Sequence, residues 1–124
     1  MTVPSRPDKL STKELVDRFA ELCVAQNQAM LYSDSAKVNR LIKQMWVVED
    51  ELKSRPGDQR RALLALFNHE NPQVRLMAAR ANLAIMPEAA RKVIETIADG
   101  PKIPQAGDAG MTISNLDSGL YKPD

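Results

Sequence analysis

The chain reads Asn71-Pro72-Gln73-Val74-Arg75-Leu76-Met77-Ala78-Ala79-Arg80-Ala81 just past its midpoint, and this stretch decides the fold class. An asparagine side chain can cap a helix, and the proline after it occupies the first helical position, where no backbone N–H is needed. Apolar residues then recur at helical spacing from Val74 to Ile85. The stretch therefore predicts a helix over about 72–86.

The composition of the whole chain also favours helices. Its 124 residues are enough for one domain with a hydrophobic core. Aromatic residues make up only 4% of the chain, so the core must be built from aliphatic residues, methionine and alanine. Such residues suit helices that pack closely on one another better than they suit strands.

Helical signals recur on both sides of the opening stretch. Ser11 and Glu14 fit a capping box, in which each side chain bonds a free backbone amide at the start of a helix. The next helix has the clearest period, with an apolar residue at every third or fourth position from Val38 to Leu52. The sequence predicts five helices, over about 11–30, 35–54, 58–68, 72–86 and 87–99.

The two ends of the chain differ from this middle. Prolines interrupt the first residues, so we predict a flexible leader over 1–10 and a helical domain over 11–99. Glycine and proline also punctuate residues 100–124, which nevertheless keep several apolar side chains. We predict that this segment is an irregular tail, folded back on the helices to cover an exposed apolar end.

Residues 58–86 resemble a HEAT repeat, with a short helix, an Asn-Pro turn, and Val-Arg and Ala-Ala pairs on the second helix. In that family the alanines let helices approach closely, and the arginine bonds a neighbouring turn. Arg75 matches that arginine, and Glu70, Asn71 and Asp58 are its candidate partners. The resemblance implies an all-α fold of about five helices in a short, right-handed solenoid of HEAT or armadillo type.

A longer part of the chain is similar to a small bacterial family of unknown function, number two-thousand-and-nineteen in its series. The similarity runs from Leu63 through the tail sequence Pro104-Gln105-Ala106-Gly107-Asp108-Ala109-Gly110-Met111-Thr112 to Lys122-Pro123. It implies an all-helical, HEAT-like or armadillo-like fold. The family brings no established activity, substrate or cofactor.

The sequence offers no candidate catalytic, cofactor-binding or metal site. The single histidine, His69, lies in a predicted turn, and the single cysteine, Cys23, lies on the apolar face of the first helix. Glu49, Asp50 and Glu51 are consecutive, so on a helix they point about 100° apart and cannot converge on one metal. We therefore expect a protein that is not an enzyme and needs no cofactor.

Charge argues against nucleic acid as the partner. The 17 basic and 16 acidic residues give a net charge of +1, without the basic excess of a typical nucleic-acid binder. Arginines nevertheless recur along helices three to five, where a ridge of them could meet phosphates, so nucleic-acid binding is the alternative function. With no secretory signal and no apolar run of about 20 residues, we expect a cytoplasmic protein without a membrane partner.

Protein binding is the leading interpretation, either as an inhibitor, an immunity-type protein or a scaffold. The candidate surface is the exposed face of helices two and four, with Arg40, Trp46, Arg75 and Arg80. Tryptophan and arginine are common anchors at interfaces, although Trp46 is equally well placed to be part of the core. A second copy is a further candidate partner, since a short stack with two open ends can dimerise.

The second helix carries its charges in an unusual order. Lys37, Arg40 and Lys43 lie in its N-terminal half and acidic residues near its C-terminal end, the reverse of what the helix dipole favours. These charges either pair with a neighbouring helix or a partner, or they form a solvated face.

Overall fold

A computed structural model gives the structure of residues 6–124. These residues form five α-helices and two short 3-10 helices, with no strand among them. The elements are a 3-10 helix at Pro7–Lys9, α1 (Thr12–Leu31), α2 (Ser35–Ser54), a 3-10 helix at Gln59–Leu66, α3 (Pro72–Ala81), α4 (Pro87–Ala98) and α5 (Pro104–Ser118). The predicted all-α fold is therefore confirmed.

The contacts divide the chain into two compact units, Met1–Ala62 and Leu63–Asp124. We call them the N-terminal and the C-terminal unit. Neither coincides with the domain predicted over 11–99, which stays a prediction. Residues 1–5 of the leader predicted over 1–10 lie outside the described residues.

The N-terminal unit is a helical hairpin of α1 and α2. The capping box at its start is confirmed: the Glu14 N–H donates to the Ser11 hydroxyl at 3.1 Å, and the Ser11 N–H donates to the Glu14 carboxylate at 2.9 Å. Asp34 caps α2 by accepting a bond from the Lys37 N–H at 3.1 Å. The buried side chains of the two helices are mostly apolar and include Leu15, Val16, Phe19, Cys23, Leu41, Met45, Val48 and Leu52.

Arg55, just after α2, fixes the segment that precedes α1. Its guanidinium donates to the backbone carbonyls of Leu10 at 2.6 Å and Pro7 at 3.2 Å, and to the Glu51 carboxylate at 2.8 Å. Hydrogen bonds that involve a charged donor are among the stronger ones in proteins. The short 3-10 helix at Pro7–Lys9 is therefore held beside the C-terminal half of α2.

The sequence predicts a helix over 58–68. The structure has a helix there, but it is a 3-10 helix at Gln59–Leu66 and not an α-helix. Arg60, Leu63 and Leu66 are buried and recur at every third position. That spacing places them on one face of a helix with 3.0 residues per turn, not 3.6.

The C-terminal unit contains α3, α4 and α5, with α4 in contact with both of the others. The predicted start of α3 is confirmed, since the Asn71 side chain accepts a bond from the Gln73 N–H at 2.8 Å and Pro72 is the first residue of the helix. The helix ends at Ala81, five residues earlier than predicted. Met86 is forced out of the helical conformation because it precedes Pro87 (φ −137°, ψ 63°), so the chain turns before α4 begins.

The prediction of an irregular tail over 100–124 is wrong, because most of these residues form α5. Pro104 supplies the favourable first residue, and Gly119 ends the helix in the left-handed conformation at φ 78°. The buried residues of α5 are Gln105, Ala109 and Thr112, at helical spacing. Two of these three are polar, so their period is invisible in an apolar pattern.

The glycines of α5 yield a stability prediction. A Cβ at Gly107 or Gly110 would meet nothing within 4 Å, and neither has a positive φ. Because glycine costs about 0.5–1 kcal/mol relative to alanine inside a helix, the double variant G107A/G110A should raise the free energy of unfolding by about 1–2 kcal/mol. Gly119→Ala is the matched control and should lower it by about 1 kcal/mol, because position 119 needs a positive φ.

Urea denaturation followed by circular dichroism measures both changes. A double variant less stable than the parent chain would mean that the outward side of α5 is covered in the folded protein.

Candidate interaction surface

The outward face of α2 carries two exposed apolar side chains that are consecutive in sequence and point about 100° apart on the helix. The buried face of the helix is formed by Leu41, Met45, Val48 and Leu52. Rotation by one residue from Met45 brings Trp46 to the surface, where 55% of it is exposed, and Val47 is 52% exposed. Trp46, which the sequence placed equally well in the core, is therefore a surface residue.

Basic side chains of α2 lie on the N-terminal side of Val47. Lys43 is exposed about one turn before Val47, and Arg40 about two turns before it. Among residues 6–124, neither of them, nor Lys37, has a carboxylate partner within ion-pair distance. The cations of the N-terminal half of α2 are thus not paired with a neighbouring helix of the described chain.

Two shallow depressions adjoin Val47 along the outward face. The first, which we call the basic depression, is lined by α2 residues that include Arg40, Lys43 and Val47. The second, the acidic depression, is lined by Val47, Asp50 and Glu51 of α2, and by Arg6, Pro7 and Asp8 of the segment before α1. One helix face therefore presents positive charge on one side of Val47 and mostly negative charge on the other.

Arg75 is engaged by its own chain. Its guanidinium donates to the backbone carbonyls of His69 at 2.8 Å and Glu70 at 3.2 Å, in the turn before α3. Of the candidate partners named from the sequence, Glu70 is used, but through its carbonyl and not its carboxylate. Arg75 satisfies carbonyl oxygens that the turn would otherwise leave to solvent.

Arg80 is also engaged, in an ion pair with Asp108 at 3.3 Å that joins α3 to α5. A buried hydrogen bond of 2.9 Å, from the Gln105 amide to the Gln73 side-chain oxygen, joins the same two helices. Sequence reasoning missed both contacts because it left residues 104–118 irregular.

Two further arginines of the proposed ridge, Arg60 and Arg91, have acidic partners as well. Arg60 pairs with Asp58 at 2.7 Å, and this hydrogen bond holds the pKa of Asp58 below its ordinary value. Arg91 donates two bonds to Asp117, at 2.8 and 3.2 Å, and a third to Glu95 at 3.1 Å. The bonds to Asp117 lower the pKa of that carboxyl. These pairs neutralise much of the charge that a phosphate would meet.

The two residues with reactive side chains have structural surroundings. Cys23 is fully buried, and burial raises the pKa of its thiol, which keeps it protonated. His69 accepts a hydrogen bond from the Asn71 N–H at its Nδ1 atom, at 3.0 Å, within the turn before α3. Between residues 6 and 124, no three His, Cys, Asp or Glu side chains cluster as a metal site would require. No helix in that range is long and apolar enough to cross a membrane.

A solved structure resembles this chain closely. It is the crystal structure of the protein RPA1889 from Rhodopseudomonas palustris, which is 46% identical in sequence. The match covers 94% of this chain and 97% of the other, with a TM-score of 0.91. No curated protein matches the chain.

A family model matches residues 13–117, and its description is a domain of unknown function, DUF2019. The match extends over most of the chain and confirms the family resemblance seen in the sequence. This protein therefore belongs to the DUF2019 family.

Proposed function

We propose that this protein is a non-catalytic interaction module that binds a protein partner through the outward face of α2. The observation that carries the proposal is that Trp46 and Val47 are both more than half exposed, and that the unpaired Arg40 lines a depression together with Val47. Large aromatic and arginine side chains dominate the energetics of protein interfaces, and apolar neighbours exclude water from them. Such a contact explains a tryptophan that is more than half exposed on its own chain.

We further propose that the helices form a short, right-handed solenoid of HEAT or armadillo type. The protein would act in the cytoplasm as an inhibitor, an immunity-type protein or a scaffold. The Asn71-Pro72 helix start and the bonds from Arg75 to its preceding turn support the HEAT-like part. On this account Arg40 and Trp46 contact the partner, whereas Arg75 and Arg80 stabilise the C-terminal unit.

Binding of nucleic acid by an arginine ridge is the second candidate. The pairing of Arg60, Arg80 and Arg91 with carboxylates weighs against it, because each pair must open before its guanidinium can meet a phosphate. Binding of that kind would weaken steeply as salt is raised.

Replacement of Trp46 tests the leading proposal. The tagged protein, incubated with native lysate, should retain a stoichiometric protein after washes with high salt and nuclease, and Trp46→Ala should reduce its recovery at least about tenfold, as expected for a central anchor. Met111→Ala is the matched control, because Met111 is an apolar side chain in the C-terminal unit that is 61% exposed. Recovery of nuclease-sensitive material alone, or equal recovery by Trp46→Ala, would refute the proposal.

Replacement of Arg75 separates a structural role from a binding role. Arg75→Ala removes the charged donor from two carbonyl oxygens that water can then solvate, so the free energy of unfolding should fall by about 0.5–1.5 kcal/mol. Partner recovery per folded molecule should equal that of the parent chain. A variant of unchanged stability that no longer recovers the partner would instead place Arg75 at the interface.

A further inference from the structure

We propose that a second copy of this chain docks antiparallel on the outward face of α2 and forms a two-fold symmetric dimer. The inference rests on the proposed function, since it names the occupant of the same surface. The order of the charges along α2 and the lack of partners for several of them support such a dimer.

The outward face of α2 is complementary to itself. The basic depression, with Arg40 and Lys43, lies on the N-terminal side of Val47, and the acidic depression lies on its C-terminal side. A second α2 that runs in the opposite direction places its basic half over the acidic half of the first, and the reverse occurs at the other end. A two-fold interface requires a patch that is self-complementary in this way.

The spacing of the charges fixes the register. Lys43 and Asp50 lie equally far from the midpoint between Trp46 and Val47, each about 5 Å along the helix axis at 1.5 Å per residue. A two-fold axis through that midpoint sets Lys43 of each copy opposite Asp50 of the other. The same axis brings the two Trp46 rings together on one side of the seam and the two Val47 side chains on the other.

The groups that this dimer would pair have no competing partner in their own chain. Arg40, Lys43 and Asp50 form no ion pair among the described residues. The other charges that face the acidic depression are already balanced, Asp8 by Arg6 at 3.3 Å and Glu51 by Arg55 at 2.8 Å. Asp50 is therefore an unpaired anion of this face, and Lys43 is an unpaired cation in the position symmetric to it.

This pattern favours a second copy over an unrelated acidic partner. An acidic segment would satisfy Arg40 and Lys43 but would leave Asp50 opposite a like charge, which costs affinity. A second copy instead pairs Lys43 with Asp50 at both ends of the seam, and Arg40 lies outside these pairs. One helix face per molecule is a small interface, so we expect a reversible dimer with a Kd of about micromolar order.

Charge reversal at the two symmetric positions tests the register. The parent chain should show a monomer–dimer equilibrium in sedimentation velocity over rising concentration. Lys43→Asp sets two pairs of carboxylates against each other, and Asp50→Lys sets two pairs of ammonium groups, so each variant should sediment as a monomer. An equimolar mixture of the two should dimerise again, because every facing pair is then a carboxylate and an ammonium group.

The single tryptophan reports the same event at the interface itself. Emission of Trp46 should shift to shorter wavelength and become less accessible to acrylamide as the parent chain is concentrated. Both changes should be absent in each single variant and return in the mixture. Lys102→Asp, an exposed reversal in the C-terminal unit, is the matched control and should dimerise as the parent chain does.

The outcomes separate the dimer from the broader proposal. A parent chain that stays monomeric at all concentrations, or a mixture that fails to dimerise, overturns the dimer. If Trp46→Ala nevertheless loses a lysate partner, the proposed interaction function stands and only its occupant is different. If the parent chain dimerises while Lys43→Asp alone dimerises equally well, the antiparallel register is wrong and the inference fails.

Discussion

The packing of α1 against α2 sets the rotation of α2, and the candidate surface depends on that rotation. Leu41, Met45, Val48 and Leu52 occupy one stripe of the helix and are buried. Burial of such side chains contributes about 1.5–3 kcal/mol each, so a turn of the helix that exposed them would be strongly unfavourable. Because this stripe must face inward, Trp46 and Val47 must face outward. The exposure of Trp46 and Val47 therefore follows from the packing of the buried stripe of α2 and not from the choice of side-chain rotamer.

The C-terminal unit is stabilised in a different way. The buried face of α3 includes the small residues Ala78 and Ala79. Helix α5 is fixed by polar contacts, among them the amide pair of Gln73 with Gln105 and the ion pair of Arg91 with Asp117. Arginines that seemed free in the sequence are used here to join helices. The N-terminal unit, in contrast, leaves charged groups of α2 without partners in the described chain.

The sequence predicted best the helices in which apolar residues recur at helical spacing. The bounds predicted for α2, 35–54, agree with the structure because its stripe repeats without interruption from Val38 to Leu52. Helix α5 was not predicted because its glycines suggested a loop and its buried face includes the polar residues Gln105 and Thr112. The 3-10 form of Gln59–Leu66 could not be predicted because eight residues are too few to distinguish a period of 3.0 from one of 3.6.

The candidate surface was predicted only in part. Arg40 and Trp46 are exposed on one helix as proposed from the sequence, but the position of Trp46 next to the buried Met45 could not be decided without the fold. The partners of Arg75 and Arg80 could not be predicted either, since one set is backbone carbonyls and the other lies in the unpredicted α5. The pairing role proposed for Asp50 depends on the two depressions on either side of Val47, which only the structure shows.

Photo-crosslinking in living cells tests the central claim most directly. A photoreactive phenylalanine analogue placed at position 47 lies at the centre of the outward face of α2, and the same analogue at position 111 lies on an exposed part of α5. The account predicts a discrete crosslinked adduct from position 47, containing a partner protein or a second copy of the chain, and none from position 111. Absence of an adduct from position 47, or the same adduct from both positions, would contradict it.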